Sequence, residues 1–475
     1  MLPDFPAVFR AATGHEPRAY QERLAARLAA GDVPPILDVP TGMGKTLAVL
    51  LAWLYALAAD ADRGGAGGIS GAVEGGNAEG GAGAAAVGAG EGVAGTARRV
   101  ARRLHLVVDR RVVVDDAHRC ARDLERRLAR ADAGPLAQLA EVLRERLDLA
   151  PDEPVLEVRR LRGGLPRDLT EHTRNPARPA IVLGTLDMTC SRLLFRGYQL
   201  SPRRRSIDAA LTGLDSWWVL DEAHLSTQTR TTLETLQTRE SALEDRFGGA
   251  VPGLRVMAMS ATPDQTRERA LTWDAAREEA RDPALARRRR ARDAVPVAVV
   301  EATGFGVDAV VAAAAGIVPA LGRGEGLVVF CTTVADAKAV RTRLGKPCKE
   351  RGVALELLTG GMPERFTRGV VDRLGAYRTG CEDREKADPV VVVATSTLEV
   401  GADLDFTHLV TKACGADSLI QRLGRVNRVG AREDGSATII HADKSDPIHG
   451  DAADAVVRLI ADATTLGEVV ARLRN

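Results

Sequence analysis

The stretch Ile36-Leu37-Asp38-Val39-Pro40-Thr41-Gly42-Met43-Gly44-Lys45-Thr46 constrains this chain more than any other. Four residues of strand character run into a glycine turn and then directly into a long apolar helix. A phosphate cradle needs that order. Glycines let backbone N–H groups approach an anion, and the helix N-terminus adds a favourable dipole. Lys45 is placed to reach the β- and γ-phosphates of a nucleotide such as ATP, and the Thr46 hydroxyl to ligate Mg²⁺. Such a unit belongs to a parallel α/β sheet, with the loop at the carboxyl end of its strand.

Two other segments supply what such a cradle requires. Trp217-Trp218-Val219-Leu220 reads as a buried strand and ends in Asp221-Glu222-Ala223-His224. Asp221 suits Mg²⁺, through water, and Glu222 suits orienting and polarising an attacking water. His224 is placed to report the nucleotide state to a neighbouring domain. The second segment, Gln421 to Arg428, reads Q-R-L-G-R-V-N-R. Its spacing predicts a helix with Arg425 and Arg428 on one face and Gln421 one turn before Arg425. Permanently charged, fork-shaped guanidiniums suit a polyphosphate. Ser260-Ala261-Thr262 closes a further apolar strand and offers small hydroxyls between nucleotide chemistry and a substrate groove.

A chain of 475 residues exceeds a single core. Short β-rich runs alternate with helical segments, the pattern of parallel α/β sheets. Strands are expected at Ile36–Val39, Leu104–Val108, Ile181–Gly184, Trp217–Leu220 and Leu254–Met259. A second set is expected at Leu327–Cys331, Leu355–Leu358, Val390–Ala394, His408–Val410 and Thr438–His441. The seam falls between Glu279 and Val295, where the Arg287–Arg290 run suits a solvated linker better than a core. That run is also able to touch a nucleic-acid backbone. Residues 64–96 are mostly Gly and Ala and read as a disordered insert. The charged helical region Arg119 to Leu161 reads as a second insertion or an accessory face.

Lys plus Arg number 65 against 64 Asp plus Glu, so no global basic field advertises nucleic-acid binding, and any such site is a local groove. The six cysteines form no C-x-x-C pair, which fits neither a zinc ribbon nor a disulfide framework and points to a reducing cytoplasm. No signal peptide is apparent, and the longest apolar run, Leu47 to Ala59, is too short to span a bilayer, so no membrane role is expected.

As an ordered set, P-T-G-M-G-K-T, D-E-A-H, S-A-T, the run from Thr395 to Asp403 and Q-R-L-G-R-V-N-R resemble a superfamily-two helicase of the D-E-x-H type. The helicase form of the cradle begins with Ala or Pro, here Pro40. Residues 393–405, with Ser418-Leu419-Ile420, are similar to the CRISPR-associated helicase–nuclease of type I systems. Residues 108–115 and 192–197 resemble its type I-U (I-G) branch. The resemblance implies two tandem RecA-like P-loop domains, parallel sheets with helices on both faces, at residues 1–280 and 296–445. Residues 281–295 would link them, and 446–475 would form a short helical tail, the possible start of an accessory domain.

It also implies roles at matching positions. Gln21 would read the adenine edge, Thr41, Gly42, Met43, Gly44, Lys45 and Thr46 would bind ATP, and Gly401, Asp403 and Gln421 would line the nucleotide from the second domain. Arg110, Arg162, Gly163 and Thr185 would contact a strand backbone from the first domain, and Thr332 and Thr395 from the second. Ser260, Thr262 and His224 would couple the two activities. The expected partners are single-stranded DNA (the displaced strand), the type I surveillance complex and a separate HD nuclease chain. The family's nuclease uses a His-Asp dipeptide, and none of the eight histidines here precedes an aspartate. A helicase lacking its own nuclease is therefore expected. Two other readings stand beside this one: a D-E-x-H helicase of another DNA or RNA pathway, and an ATP-gated scaffold.

Overall fold

A computed structural model describes residues 1–40, 42–60, 100–108, 111–163, 175–176, 178–198, 200–244, 252–260, 269–304, 306–399, 403–444 and 448–474. The expected insert at 64–96 lies outside the described residues. The chain divides into two compact units. One comprises Met1–Leu37, Lys45–Ser260 and Thr266–Thr272, and the other Asp38–Gly44, Ala261–Gln265 and Trp273–Asn475.

The first unit is built on a seven-stranded sheet. Its strands are β1 (Ile36–Asp38), β2 (Arg103–Val108), β3 (Glu157–Leu161), β4 (Ala180–Thr185), β5 (Ser216–Asp221), β6 (Arg255–Ser260) and β7 (Leu271–Thr272). They lie in the order β3-β4-β2-β5-β6-β1-β7. From β3 to β6 every neighbouring pair is parallel. Continuous apolar runs form the inner strands because both faces are covered, and Trp217 to Leu220 are all buried. In that order β6 stands between β5, which ends in the carboxylate pair, and β1, which leads into the glycine loop.

The second unit holds a six-stranded sheet of β8 (Val297–Ala302), β9 (Gly326–Phe330), β10 (Ala354–Leu358), β11 (Val390–Ala394), β12 (His408–Lys412) and β13 (Ser436–Ala442). The order is β10-β11-β9-β12-β13-β8, parallel throughout. Alternate residues of β9 and β11 feed two cores. Val328, Phe330 and Val392 face one, and Leu327, Val329 and Val391 the other. Gly326 is glycine because a Cβ there would come 3.0 Å from the rings of Phe406 and Tyr377.

Some segments differ from the sequence reading. The region from Arg119 to Leu161 is no appendage. A helix over Arg111–Ala129 packs on β3 and β4, the helix Gly134–Arg146 buries Leu139 and Leu143, and β3 extends the sheet. Its charge disguised it, because an edge strand such as Glu157-Val158-Arg159-Arg160-Leu161 buries little. The seam contains two helices, Ala275–Arg281 and Pro283–Asp293. Helices at Asp451–Ile460 and Leu466–Arg474 bury Val456, Val457, Ile460, Leu466 and Val469 in the same core as Phe330. Those residues pack within the second unit's own core. No described helix is long and apolar enough to cross a membrane.

Candidate functional site

The phosphate loop has the backbone that its sequence demands. Gly42 and Gly44 sit at φ +85° and +81°, a left-handed region that a side chain would strain. Lys45 opens the helix Lys45–Asp60, which is buried almost all round, and Thr46 follows half-buried. The Lys45 side chain is 8% exposed, and its Nζ has no hydrogen-bond partner among the described residues. A buried ammonium at a helix N-terminus without a partner is costly unless an anion joins it. That orphaned charge fits a polyphosphate. Thr41 lies outside the described residues.

At the end of β5 stand the two carboxylates. Burial pushes the Asp221 carboxyl up to about 6, the charge of Glu222 adds to the rise, and Lys45 opposes it. The Glu222 N–H donates to Asp221 Oδ1 at 3.1 Å. Glu222 is buried and its backbone adopts φ 50°, ψ 50°, a left-handed conformation uncommon outside glycine, asparagine and aspartate. Backbone strain of this kind concentrates at functional positions. A divalent cation would restore the charged form of Asp221, so Asp221 and Thr46 fit Mg²⁺ by donor chemistry. Among the described residues no cluster of three or more ligating side chains forms a ready-made metal site. His224 lies in the short 3₁₀ helix Ala223–Ser226, and Ser260 ends β6. Thr262 lies outside the described residues.

The arginine segment departs from the helix expected of it. The helix ends at Leu423, so Gln421 lies on it while Arg425 and Arg428 lie beyond. Residues 425–427 instead pair with the segment after β11. Phe406 N–H donates to Arg425 O at 2.8 Å, and Asn427 N–H to Phe406 O at 2.9 Å. Between them Val426 is completely buried. Burying that valine outweighs another helical turn, and Asn427 closes the bend at φ 42°.

The three arginines consequently differ. Arg422 is structural: it donates to Glu399 Oε1 at 2.8 Å and to Thr411 Oγ1 at 2.8 Å, and covers the Phe330 ring. Arg425 donates to the Glu399 carbonyl at 2.7 Å. The Arg428 N–H donates to Asp405 Oδ1 at 2.7 Å, and its guanidinium lies 3.4 Å from Asp403, which Thr379 also holds at 2.8 Å. Glu399 and Asp405 were not singled out from sequence. Their signal was a carboxylate within an apolar stretch, which needs a cation once buried.

Other expected site residues are placed as follows. Gln21 is buried near the start of the helix Ala19–Ala29, where its Oε1 accepts from Arg18 N–H at 2.8 Å as half of a capping box. Thr332 and Thr395 follow the adjacent parallel strands β9 and β11, so the structure brings them to one sheet edge. Thr395 Oγ1 accepts from Gly360 N–H at 3.3 Å. Thr185 ends β4 and precedes a helix. The Arg162 side chain is wholly buried, 2.7 Å from Asp115, so it fastens the end of β3 beside Gly163. Arg110 and Gly401 lie outside the described residues.

Residues 323–431 match the family described as CRISPR-associated nuclease/helicase Cas3, C-terminal. No curated protein sequence matches the chain. Among solved structures, T. fusca Cas3 bound to ATP is 18% identical, with a TM-score of 0.59, covering 100% of this chain and 53% of that one. The DUF1998 helicase MrfA bound to DNA and AMPPNP is 14% identical, with a TM-score of 0.57, over 96% of this chain and 52% of that one. The DEAD-box helicase Mss116 bound to ssRNA is 13% identical, with a TM-score of 0.57, over 99% of this chain and 77% of that one. The chain thus spans about half the length of the Cas3 structure it resembles. Residues 323–431 are thus similar to the Cas3 C-terminal family, and the chain as a whole has the fold of two RecA-like domains in tandem seen in those solved structures.

Proposed function

We propose that the chain is an ATP-dependent motor that moves along single-stranded DNA, a Cas3-type helicase serving type I CRISPR interference. The observation that carries this reading is the buried Lys45 ammonium that follows the glycine loop, with no hydrogen-bond partner among the described residues and a charge interaction with Asp221. Lys45 and the helix N-terminus bind the β- and γ-phosphates. Asp221 and Thr46 would hold Mg²⁺, which supplies charge neutralisation at the phosphate oxygens. Glu222 orients the attacking water and accepts its proton. Arg425 and Arg428 contribute positive charge to the γ-phosphate as it departs, an effect worth about 10³–10⁵ in rate where such fingers act. Asp403 positions Arg428, and Gln421, with the helix start shaped by Gln21, frames the nucleotide.

Thr185, Thr332 and Thr395 contact sugar and phosphate at strand ends, which gives grip with little sequence preference. Gly163 approaches the same backbone while Arg162 holds it in place. His224, Ser260 and Thr262 link the two activities. The displaced DNA strand, delivered by the surveillance complex, is the proposed track, supported by the family match over residues 323–431.

The test is ATP turnover with and without single-stranded DNA, on the parent and on Lys45→Ala. DNA-stimulated turnover in the parent, abolished in the variant, is expected. A parent whose turnover ignores DNA would sink the motor reading.

A further inference from the structure

Between Ala275 and Asp293 the sequence carries seven arginines and four acidic residues. The segment folds as the helices Ala275–Arg281 and Pro283–Asp293, and its acids are consumed internally. Glu278 is buried, Glu279 sits 3.0 Å from Arg289, and Asp293 lies 3.8 Å from the same guanidinium. Asp282 caps the second helix through Leu285 N–H at 3.1 Å. Arg277, Arg281, Arg287, Arg288 and Arg290 are exposed to solvent. Arg287 and Arg290 share one helical face by their i, i+3 spacing, as Arg277 and Arg281 do by i, i+4.

The second helix is fixed in place although Leu285 is its one buried residue. Its backbone is seated against the loop that carries Arg428. Gly430, at φ +66°, is close enough that a Cβ there would come 1.8 Å from the Arg288 carbonyl oxygen. Asn427 Nδ2 donates to Ala291 O at 3.5 Å. On the other side, a Cβ on Gly467 would lie 2.9 Å from Asp293 Cβ. Backbone contacts on both sides hold the helix, so its arginines are presented from a firm base.

We propose that Arg287, Arg288 and Arg290, flanked by Arg277 and Arg281, form a docking surface for the sugar–phosphate backbone of a nucleic-acid strand. It is distinct from the strand-end threonines. Packed like charges repel one another, and a polyanion relieves that repulsion while matching the guanidinium forks. No aromatic residue lies between Ala275 and Asp293, so bases have no stacking platform and contact is with the backbone alone. A protein partner is disfavoured because this face offers no apolar anchor. The inference rests on the reading of the chain as a nucleic-acid motor.

The experiment is fluorescence anisotropy of a labelled single-stranded oligonucleotide with the full chain across a salt series. The parent is compared with the triple variants R287S/R288S/R290S and R287K/R288K/R290K. Each phosphate contact contributes about 0.7 to the slope of log affinity against log salt on single strands, so the serine variant should lose about 2 from the slope. The lysine variant should retain it, because counterion release needs charge and not a fork. A serine variant with the parent's slope, or a lysine variant that loses as much as serine, overturns the surface. A parent that binds no oligonucleotide at low salt overturns the motor reading as well. Thermal midpoints equal to the parent's establish that the variants are folded.

Discussion

Arg422 and Lys45 are both buried cations, and their surroundings differ sharply. Around Arg422 the guanidinium is closed in by Glu399, the Thr411 hydroxyl, the Lys412 carbonyl and the Phe330 ring. Lys45 Nζ has no hydrogen-bond partner among the described residues, and the charge it acts on is Asp221, itself held toward neutrality by burial. A buried charge with a full set of partners serves the fold, since removing either member strands the other. A buried charge lacking partners is a cost to the fold and marks where a ligand completes the set. The contrast separates scaffold from site more finely than the motifs do, because both cations stand inside recognisable motifs.

The sharpest way to break that contrast is a crossed pair of variants. Glu222→Gln should lower ATP turnover by about 10²–10⁴, the usual contribution of a general base, while leaving the thermal midpoint near the parent's. Arg422→Ala should do the reverse in kind. It strands the Glu399 carboxylate in the core and should cost about 3–5 kcal/mol of folding free energy, read by urea titration. If Glu222→Gln unfolds the protein while Arg422→Ala does not, the division of roles is wrong.

A second effect, smaller, follows from Asp221. Its carboxyl is raised from 3.8 to about 6 by burial first and by Glu222 second. In the folded state it therefore binds a proton more readily than in the unfolded chain. Stability contributed by the protonated form is present at about pH 4 and declines as pH rises toward 6. Asp221→Asn should flatten that decline, by at most on the order of 3 kcal/mol. Urea midpoints at several pH values check it, and parallel curves for parent and variant would contradict the claim that burial outweighs Asp221's partners.

The sequence made the architecture legible where both faces of a strand are buried. Runs such as Trp217–Leu220 and Val390–Ala394 admit one assignment, and the glycine loop before Lys45 fixes its own neighbours. Edge strands were harder. β3 carries Arg159 and Arg160 and shows no apolar run, and β8 has one, Val297 to Val300, but buries only Val297 of it. Periodicity misled at Arg425 and Arg428, since i, i+3 spacing describes a turn as well as a helix. What decided it was the buried pairing of Val426 with Phe406, a contact across twenty residues that local pattern does not carry. The function of individual side chains was least legible where structure commits them. Arg162 looked like a strand contact and is wholly buried beside Asp115.

The smallest predicted effect concerns His441, a cation of the opposite type to Lys45. Its Nδ1 lies 2.9 Å from Glu301 on β8, and its Nε2 lies 2.8 Å from Asp454 on the helix Asp451–Ile460. The bond to Asp454 is the largest cause that raises its pKa above 6.5, Glu301 adds to the rise, and burial opposes it. Imidazolium donates to both carboxylates, whereas neutral imidazole has one N–H to give. The clamp's stabilisation is thus complete below about pH 6.5 and fades as pH rises through the folded value. His441→Gln should abolish that fade, with a modest shift in urea midpoint, because solvent reaches Glu301. Asp221 and His441 both make stability fall with rising pH, in separate windows and for opposite reasons. For the first, burial and Glu222 outweigh what Lys45 and one N–H give its charged form, and the second has two carboxylates. A parent showing one decline, unchanged by His441→Gln, would mean that the doubly paired histidine adds nothing to the docking of that helix.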